Sequence, residues 1–272
     1  MSKRALTLFL AAAASLPLLY CGGQKDEDAL MEDEAPATAA PATSAAAPAA
    51  APAAPATGGA TLTGKVNFEG AKPSMAAIKM DADAYCKSEH KEPVYDQEVV
   101  VNPNNTLQWV LVYVKEGASG NYPVPTEPIT LDQHGCQYRP HIFGVMAGQP
   151  IKILNSDGTL HNIHAIPTKN QEFNTGQPIQ GMKTDHVFTA AETMVPFKCD
   201  VHGWMNAYAG VLPHPYFAVT SEDGTFTIKN LPPGTYKLTA WHEKLGTQTA
   251  DITLAAKDDK ENNFTFKAAG GN

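Results

Sequence analysis

The chain has 272 residues, a formal net charge of −8 and a sequence pI near 5.5. Its basic residues are scattered rather than clustered, which excludes the positive surface that nucleic-acid binding requires. The first sixty or so residues differ in composition from the rest, which leaves roughly 210 residues to fold, enough for one large β domain or two small ones.

The N-terminus is typical of an export signal: two positive charges precede an apolar run that is too short to span a bilayer. The run ends in LLYCG, which resembles a bacterial lipobox with Cys21 as the lipidated residue, although Tyr20 stands where a small residue is usual. We therefore expect residues 1–21 to be a lipoprotein signal peptide; an ordinary secretory signal cleaved nearby is the alternative. The residue after Cys21 is Gly22 rather than Asp, which resembles the pattern of lipoproteins that are forwarded to the outer membrane. We therefore expect a periplasmic protein at the outer membrane that is attached to the membrane by its lipid alone.

Residues 22–60 begin acidic and continue, from residue 35, with Ala, Pro, Thr, Ser and Gly alone. This composition predicts a disordered tether. Pro-rich chain extends at about 3 Å per residue, so residues 35–60 could hold the folded region up to roughly 80 Å from a lipid anchor.

From residue 61 onward the pattern is one of strands and turns. Residue types alternate in four stretches and a β-branched run forms a fifth, which predicts strands over residues 61–68, 97–101, 109–114, 149–154 and 226–229. Gly, Pro and Asn turn signals separate them. The sequence therefore predicts an all-β fold, with short helices expected near residues 81–88 and within 171–186.

The C-terminal part contains DGTFTI followed by LPPGTYKL, which resembles the carboxypeptidase-regulatory-like, transthyretin-type β-sandwich. Such a module usually opens with a strand like LTGKVNF, which here lies about 150 residues upstream, at residues 62–68. We therefore expect the N-terminal β segment, residues 61–130, to pair with the C-terminal segment, residues 215–268. The segment between them, residues 131–214, would then be inserted; two tandem domains are the alternative.

Three cysteines follow Cys21, and an odd number cannot all pair in an oxidising compartment. The simplest arrangement is one disulfide between Cys86 and Cys136, with Cys199 held by something else. The other pairings stay open, and each would remove the Cys199 thiolate from its motif.

Cys199, His202 and Met205 follow one another at intervals of three residues in CDVHGWM. Thiolate, imidazole and thioether are soft or borderline ligands, which favour copper over magnesium, calcium or manganese. A fourth ligand must come from elsewhere, and His161 in LHN lies 38 residues before Cys199.

These segments resemble the amicyanin-like cupredoxins, whose ligand loop is C-x₂-H-x₂-M and whose first ligand stands in an HN pair. Residues 138–155 resemble the strands that precede that pair. The resemblance implies a Greek-key cupredoxin β-sandwich with one type 1 copper ion, and it implies the ligands His161, Cys199, His202 and axial Met205. It also implies that Asn162 hydrogen-bonds to the ligand loop. Electrons would enter and leave through the edge of the His202 ring, which would lie in an apolar patch. Trp204 either belongs to this patch or is buried.

His164 competes with His161 for ligation, but a side chain three positions along a strand points to the opposite face, so His161 is preferred. A second metal site is conceivable from some of the other histidines: His134, His141, His164, His214 and His242. Alternatively, these side chains are solvated or cap secondary-structure elements.

A type 1 site suits electron transfer, so we expect a carrier between periplasmic redox proteins such as a cytochrome or a copper or quinoprotein enzyme. We do not expect an enzyme, because Lys198 and Asp200 flank Cys199 where copper oxidases and nitrite reductases place a histidine. The alternatives are a periplasmic copper chaperone or store, and a non-redox surface interaction module.

Overall fold

The computed structural model describes residues 59–268, and the regular secondary structure in this part of the chain is β-strand apart from one short α-helix. The expected signal peptide, the lipidation at Cys21 and all but the last residues of the expected tether lie outside the described residues. Within residues 59–268, no helix has the length and apolar character needed to cross a membrane.

The elements run in chain order as β1 Ala60–Glu69, α1 Ala84–Glu89, β2 Leu111–Glu116, β3 Ile129–Gln133, β4 Tyr138–Arg139, β5 Ile142–Met146, β6 Pro150–Asn155, β7 His161–Ala165, β8 Phe173–Gln177, β9 Lys183–Val187, β10 Glu192–Lys198, β11 Asn206–Leu212, β12 Phe217–Val219, β13 Thr225–Leu231, β14 Gly234–His242, β15 Gly246–Leu254, β16 Asp259–Glu261 and β17 Phe264–Lys267.

Strands β3 to β11 form one sandwich, which we call the inner sandwich (residues 129–212). Its five-stranded sheet has the order β5-β11-β10-β7-β8, and its four-stranded sheet has the order β4-β3-β6-β9. The apolar side chains of these strands meet in a buried core that also contains Cys199 and Met205. The segment that carries the copper motif therefore lies within this sandwich.

The remaining strands form a second sandwich, which we call the outer sandwich (β1, β2 and β12 to β17). In one sheet, β1 pairs with β13, β16 and β17; the other sheet has the order β12-β2-β14-β15. In β1 every second side chain is buried, as expected for a strand that packs one face on a core. Because β1 and β2 pair with strands that follow residue 212, the inner sandwich interrupts the chain of the outer sandwich.

Helix α1 attaches the N-terminal segment to the inner sandwich. Asp83 caps the helix by accepting hydrogen bonds from the backbone N–H groups of Tyr85 and Cys86. The predicted disulfide is present: Cys86 on the helix is bonded to Cys136, with 5.6 Å between their Cα atoms. Both sulfurs are buried in the inner core.

The structure differs from the sequence prediction in three places. Residues 97–101 form no regular strand and contribute a single bridge, between Val101 and Leu107. The helix expected within 171–186 is wrong, because this stretch forms β8 and β9. The segment 61–130 does not pair with the outer sandwich throughout, since β3 begins at Ile129 and pairs with β6, while α1 packs on the inner core.

Candidate metal centre

Three strands and one short loop bring the predicted ligands together. His161 opens β7, Cys199 directly follows β10, and β11 begins directly after Met205. The intervening loop is closed by its own hydrogen bonds: Cys199 N–H donates to the Met205 carbonyl at 3.2 Å, and Met205 N–H donates to the His202 carbonyl at 2.9 Å. The backbone thus holds Cys199, His202 and Met205 in one tight turn.

The ligand atoms of His161, Cys199 and His202 lie within 4.8 Å of one another. The two histidines face each other through Nδ1 at 2.9 Å, and Cys199 Sγ lies 3.9 Å from His202 Nδ1. All three side chains are at most 2% exposed. Their donor atoms therefore converge on one point that is shielded from solvent.

Each imidazole is oriented by a carboxylate on its far side. His161 Nε2 lies 2.9 Å from Asp157 Oδ2, and His202 Nε2 lies 3.0 Å from Asp83 Oδ2. An ionised carboxylate only accepts hydrogen bonds, so each Nε2 carries the hydrogen and donates it. In the neutral imidazoles both Nδ1 lone pairs then point at the same centre, which is the usual arrangement of metal-ligating histidines.

This arrangement fits a metal ion. Two Nδ1 lone pairs facing each other at 2.9 Å repel each other unless a proton or a cation lies between them. The thiol of Cys199 next to them makes the donor set soft to borderline, as copper prefers. Residues His161, Cys199 and His202 would hold the ion.

The surroundings of Cys199 favour its thiolate form. Burial alone would raise the pKa of the thiol, but hydrogen bonds from His161, from His202 and from the backbone N–H of Asn162 outweigh it and lower that pKa to about 5. Burial likewise opposes the charged form of His161, yet Asp157 and the thiolate raise its pKa to about 9. A metal ion and a proton would thus compete for this pocket of negative charge.

The axial candidate and the orienting amide occupy the same region. Met205 is 1% exposed and packs in the core that contains Cys199. Asn162 accepts a hydrogen bond from the Asp200 backbone N–H at 2.5 Å, and its own amide group donates to Asn174 at 2.6 Å. Asn162 therefore ties β7 to the residue that follows Cys199.

His164 lies outside the cluster. It is on the other face of β7, where its Nδ1 pairs with Asp200 at 2.9 Å and its Nε2 pairs with Glu172 at 2.7 Å. Among the residues that the structure describes, every group of three or more potential ligands contains His161 or His202. The other histidines of the conceivable second site, His134, His141, His214 and His242, join none of these groups.

The His202 edge differs from what the resemblance implies. It is covered rather than exposed, because α1 and its disulfide pack over it: Cys86 Sγ lies 3.7 Å from His202 Nε2. Trp204 is half-buried, lies 5.0 Å from the His202 ring between centroids, and donates from Nε1 to the Cys136 carbonyl at 3.0 Å. The Cys86–Cys136 disulfide and the predicted metal ligands therefore lie side by side in the structure.

Sequence reasoning missed the two carboxylates. Asp157 stands four residues before His161 in the turn NSDG, where it looks like a turn residue. The only indication of its role in the sequence is that it lies four positions before the candidate ligand His161. Asp83 is 119 residues from His202 and gave no signal beyond the short helix that it caps.

One family model matches part of the chain. The family model described as carboxypeptidase regulatory-like domain matches residues 211–267, which cover β12 to β17. No curated protein matches the chain.

Several solved structures resemble part of the chain. A purple cupredoxin from Nitrosopumilus maritimus is 21% identical over 30% of this chain and 98% of its own, with a TM-score of 0.27. A reduced amicyanin variant is 21% identical over 32% and 85%, with a TM-score of 0.29. A copper-containing nitrite reductase from Thermus scotoductus SA-01 is 19% identical over 35% of this chain, with a TM-score of 0.30; the match spans 24% of the reductase. The chain thus contains a carboxypeptidase regulatory-like domain and is weakly similar in structure to cupredoxins.

Proposed function

We propose that the protein is a copper-dependent one-electron carrier. The observation that carries this proposal is the convergence of His161 Nδ1, His202 Nδ1 and Cys199 Sγ in a buried pocket. A copper ion bound there would supply one-electron chemistry, and Met205 is the fourth residue that we propose would hold it. The chain's own residues hold the donor atoms still, so that little rearrangement accompanies a change of charge.

Residues around the ligands keep the geometry fixed. Asp157 and Asp83 hold the two imidazoles by their Nε2–H groups, and Asn162 fixes the start of the ligand loop. The exposed neighbours of Cys199 are already paired with each other, since Lys198 Nζ lies 3.0 Å from Asp200. No histidine stands beside Cys199 to lead to a second metal, and we propose that the chain is not itself an enzyme.

The cellular setting is part of the same proposal. Export, a lipid anchor at Cys21 and a long tether would place the carrier in the bacterial periplasm at the outer membrane. There it would meet soluble or membrane-bound redox proteins, such as a cytochrome or a copper or quinoprotein enzyme.

A copper chaperone or store is the second candidate. The burial of the ligands favours the carrier, because a protein that hands copper over needs a ligand that a recipient can reach, and His161 and His202 are at most 2% exposed. The Nε2 atom of each ring is also held by a carboxylate, Asp157 for His161 and Asp83 for His202.

A redox titration of the copper-loaded protein distinguishes the two candidates. A carrier is expected to pass repeatedly between Cu(II) and Cu(I) while keeping its metal in the presence of a competing chelator. Tightly held Cu(I) that cannot be reoxidised, or Cu(I) that passes rapidly to the chelator, would instead favour copper storage or delivery.

A further inference from the structure

The covering of the metal centre comes from a distant part of the chain. Residues 80–90, which we call the cap, include α1 and lie between two parts of the outer sandwich in sequence. Yet Met80 and Cys86 of the cap are buried in the inner core. The Cys86–Cys136 disulfide fixes the cap next to the ligand loop.

The Asp83 carboxylate has two roles at once. Its Oδ1 accepts the backbone N–H groups of Tyr85 at 2.8 Å and Cys86 at 3.1 Å, which starts the helix. Its Oδ2 accepts from Thr159 Oγ1 at 2.9 Å and from His202 Nε2 at 3.0 Å. The position of the cap therefore determines where the acceptor for His202 stands.

We propose that Asp83 is a positioning residue for the copper ligand His202, delivered by the cap. This inference rests on the proposed copper site. Asp83 fixes the Nε2–H tautomer, so that the Nδ1 lone pair of His202 faces Cys199 and His161. It also closes the ring edge that lies away from the metal.

The expected consequence follows from charge and basicity. A carboxylate that accepts the Nε2–H makes the imidazole a stronger donor at Nδ1, which stabilises Cu(II) more than Cu(I). Asp83 is only 21% exposed, and Thr159 and the helix N–H groups hold it in place, so its charge is weakly screened. Removing that charge should weaken Cu(II) binding and raise the reduction potential.

The test compares Asp83→Asn with Asp81→Asn. Asparagine retains an oxygen that can cap α1 but lacks the negative charge facing His202. We expect Asp83→Asn to lower Cu(II) affinity about 10-fold to 100-fold, to raise the reduction potential and to alter the Cu(II) electron paramagnetic resonance spectrum.

Asp81→Asn is the matched control, because it removes one charge from the same segment at an exposed site paired with Lys87. It should leave all three properties unchanged. Asp83→Asn and Asp81→Asn values that agree with each other would overturn the proposal.

Nitrogen-15 NMR of the unmodified Cu(I) protein gives a second test that needs no variant. We expect the His202 side chain to carry its hydrogen on Nε2 and to exchange it slowly with solvent. A hydrogen on Nδ1, or one that exchanges as freely as in a solvated imidazole, would also overturn the proposal. If the unmodified protein binds no copper at Cys199, the proposed function fails instead, so the two failures are distinguishable.

Discussion

At the scale of single residues, the direction in which a side chain points decides its role. His161 and His164 are three positions apart on β7, but His161 is fully buried and faces Cys199, whereas His164 is held outside by Asp200 and Glu172. Alternation along a strand therefore separates a proposed ligand from a histidine that pairs with carboxylates.

This separation leads to a direct prediction. His161→Ala should lower Cu(II) affinity by more than about 100-fold, because it removes a proposed ligand. Removing a residue that only supports a ligand costs at most about 100-fold. His164→Ala should change the affinity by much less. Competition with a chelator of known affinity measures both, and a larger loss for His164→Ala would overturn the choice of ligand.

Much of the candidate site could be predicted from sequence, because three of its four proposed ligands are local. The loop from Cys199 to Met205 supplies three candidate ligands within seven residues, and this spacing can be recognised without knowledge of the fold. The carboxylates could not be predicted in the same way. Asp83 contacts His202 only because α1 packs on the inner sandwich, and no periodicity in the sequence indicates that contact.

At the scale of elements, β10 delivers Cys199 and is anchored at its other end by Glu192. This side chain is 5% exposed and accepts hydrogen bonds from the loop before β8, including Thr168 Oγ1 at 2.9 Å and Lys169 N–H at 2.8 Å. Burial opposes its ionisation, but the backbone N–H groups of Thr168 and Lys169 outweigh burial and lower its pKa to about 2.

Glu192→Gln should lower the free energy of unfolding by about 2 kcal/mol at neutral pH, because charge-assisted hydrogen bonds are lost. The folded-state pKa lies below the usual value, so this stabilisation is fully present above pH 4.5 and declines as the pH falls toward 2. Urea unfolding at several pH values measures the difference.

Glu69→Gln is a suitable control, because Glu69 is exposed and lies 3.8 Å from Lys267 at the surface. A difference between the unmodified protein and Glu192→Gln that stayed constant from pH 7 to pH 2.5 would contradict the assigned role of Glu192.

Pairing between strands explains where the predicted secondary structure is wrong. The stretch 171–186 was expected to contain a helix, but β8 pairs with β7 and β9 pairs with β6, so each strand is stabilised by a neighbour that local sequence does not reveal. Residues 97–101 include three consecutive valines and are suited to a strand, yet only Val101 has a bridging partner. Strands require partners, which a single sequence specifies poorly.

At the scale of the whole molecule, the two sandwiches share an apolar contact. Phe217 of β12 packs with Ile142 and Met146 of β5 and with Leu111 of β2. The ring of Phe217 lies so close to β5 that a Cβ added at Gly144 would be 2.3 Å from it. Gly144 is therefore a position where the two sandwiches approach each other closely.

Gly144→Ala should lower the free energy of unfolding by about 1–3 kcal/mol, as expected for overpacking. Gly176→Ala, in β8, is a matched control, since a Cβ there would have nothing within 4 Å. Chemical denaturation of both variants measures the effect. Equal stability of the two variants would contradict the close contact between the sandwiches.

The proposed metal centre depends on both sandwiches, because the inner sandwich supplies the proposed ligands while the chain of the outer sandwich supplies the cap. The visible spectrum of the Cu(II)-loaded protein tests the central claim most directly. We predict one copper ion per chain with an intense thiolate-to-copper band, which Cys199→Ser removes. A Cu(II) protein without that band, or a band that survives Cys199→Ser, would contradict the assignment of the metal centre.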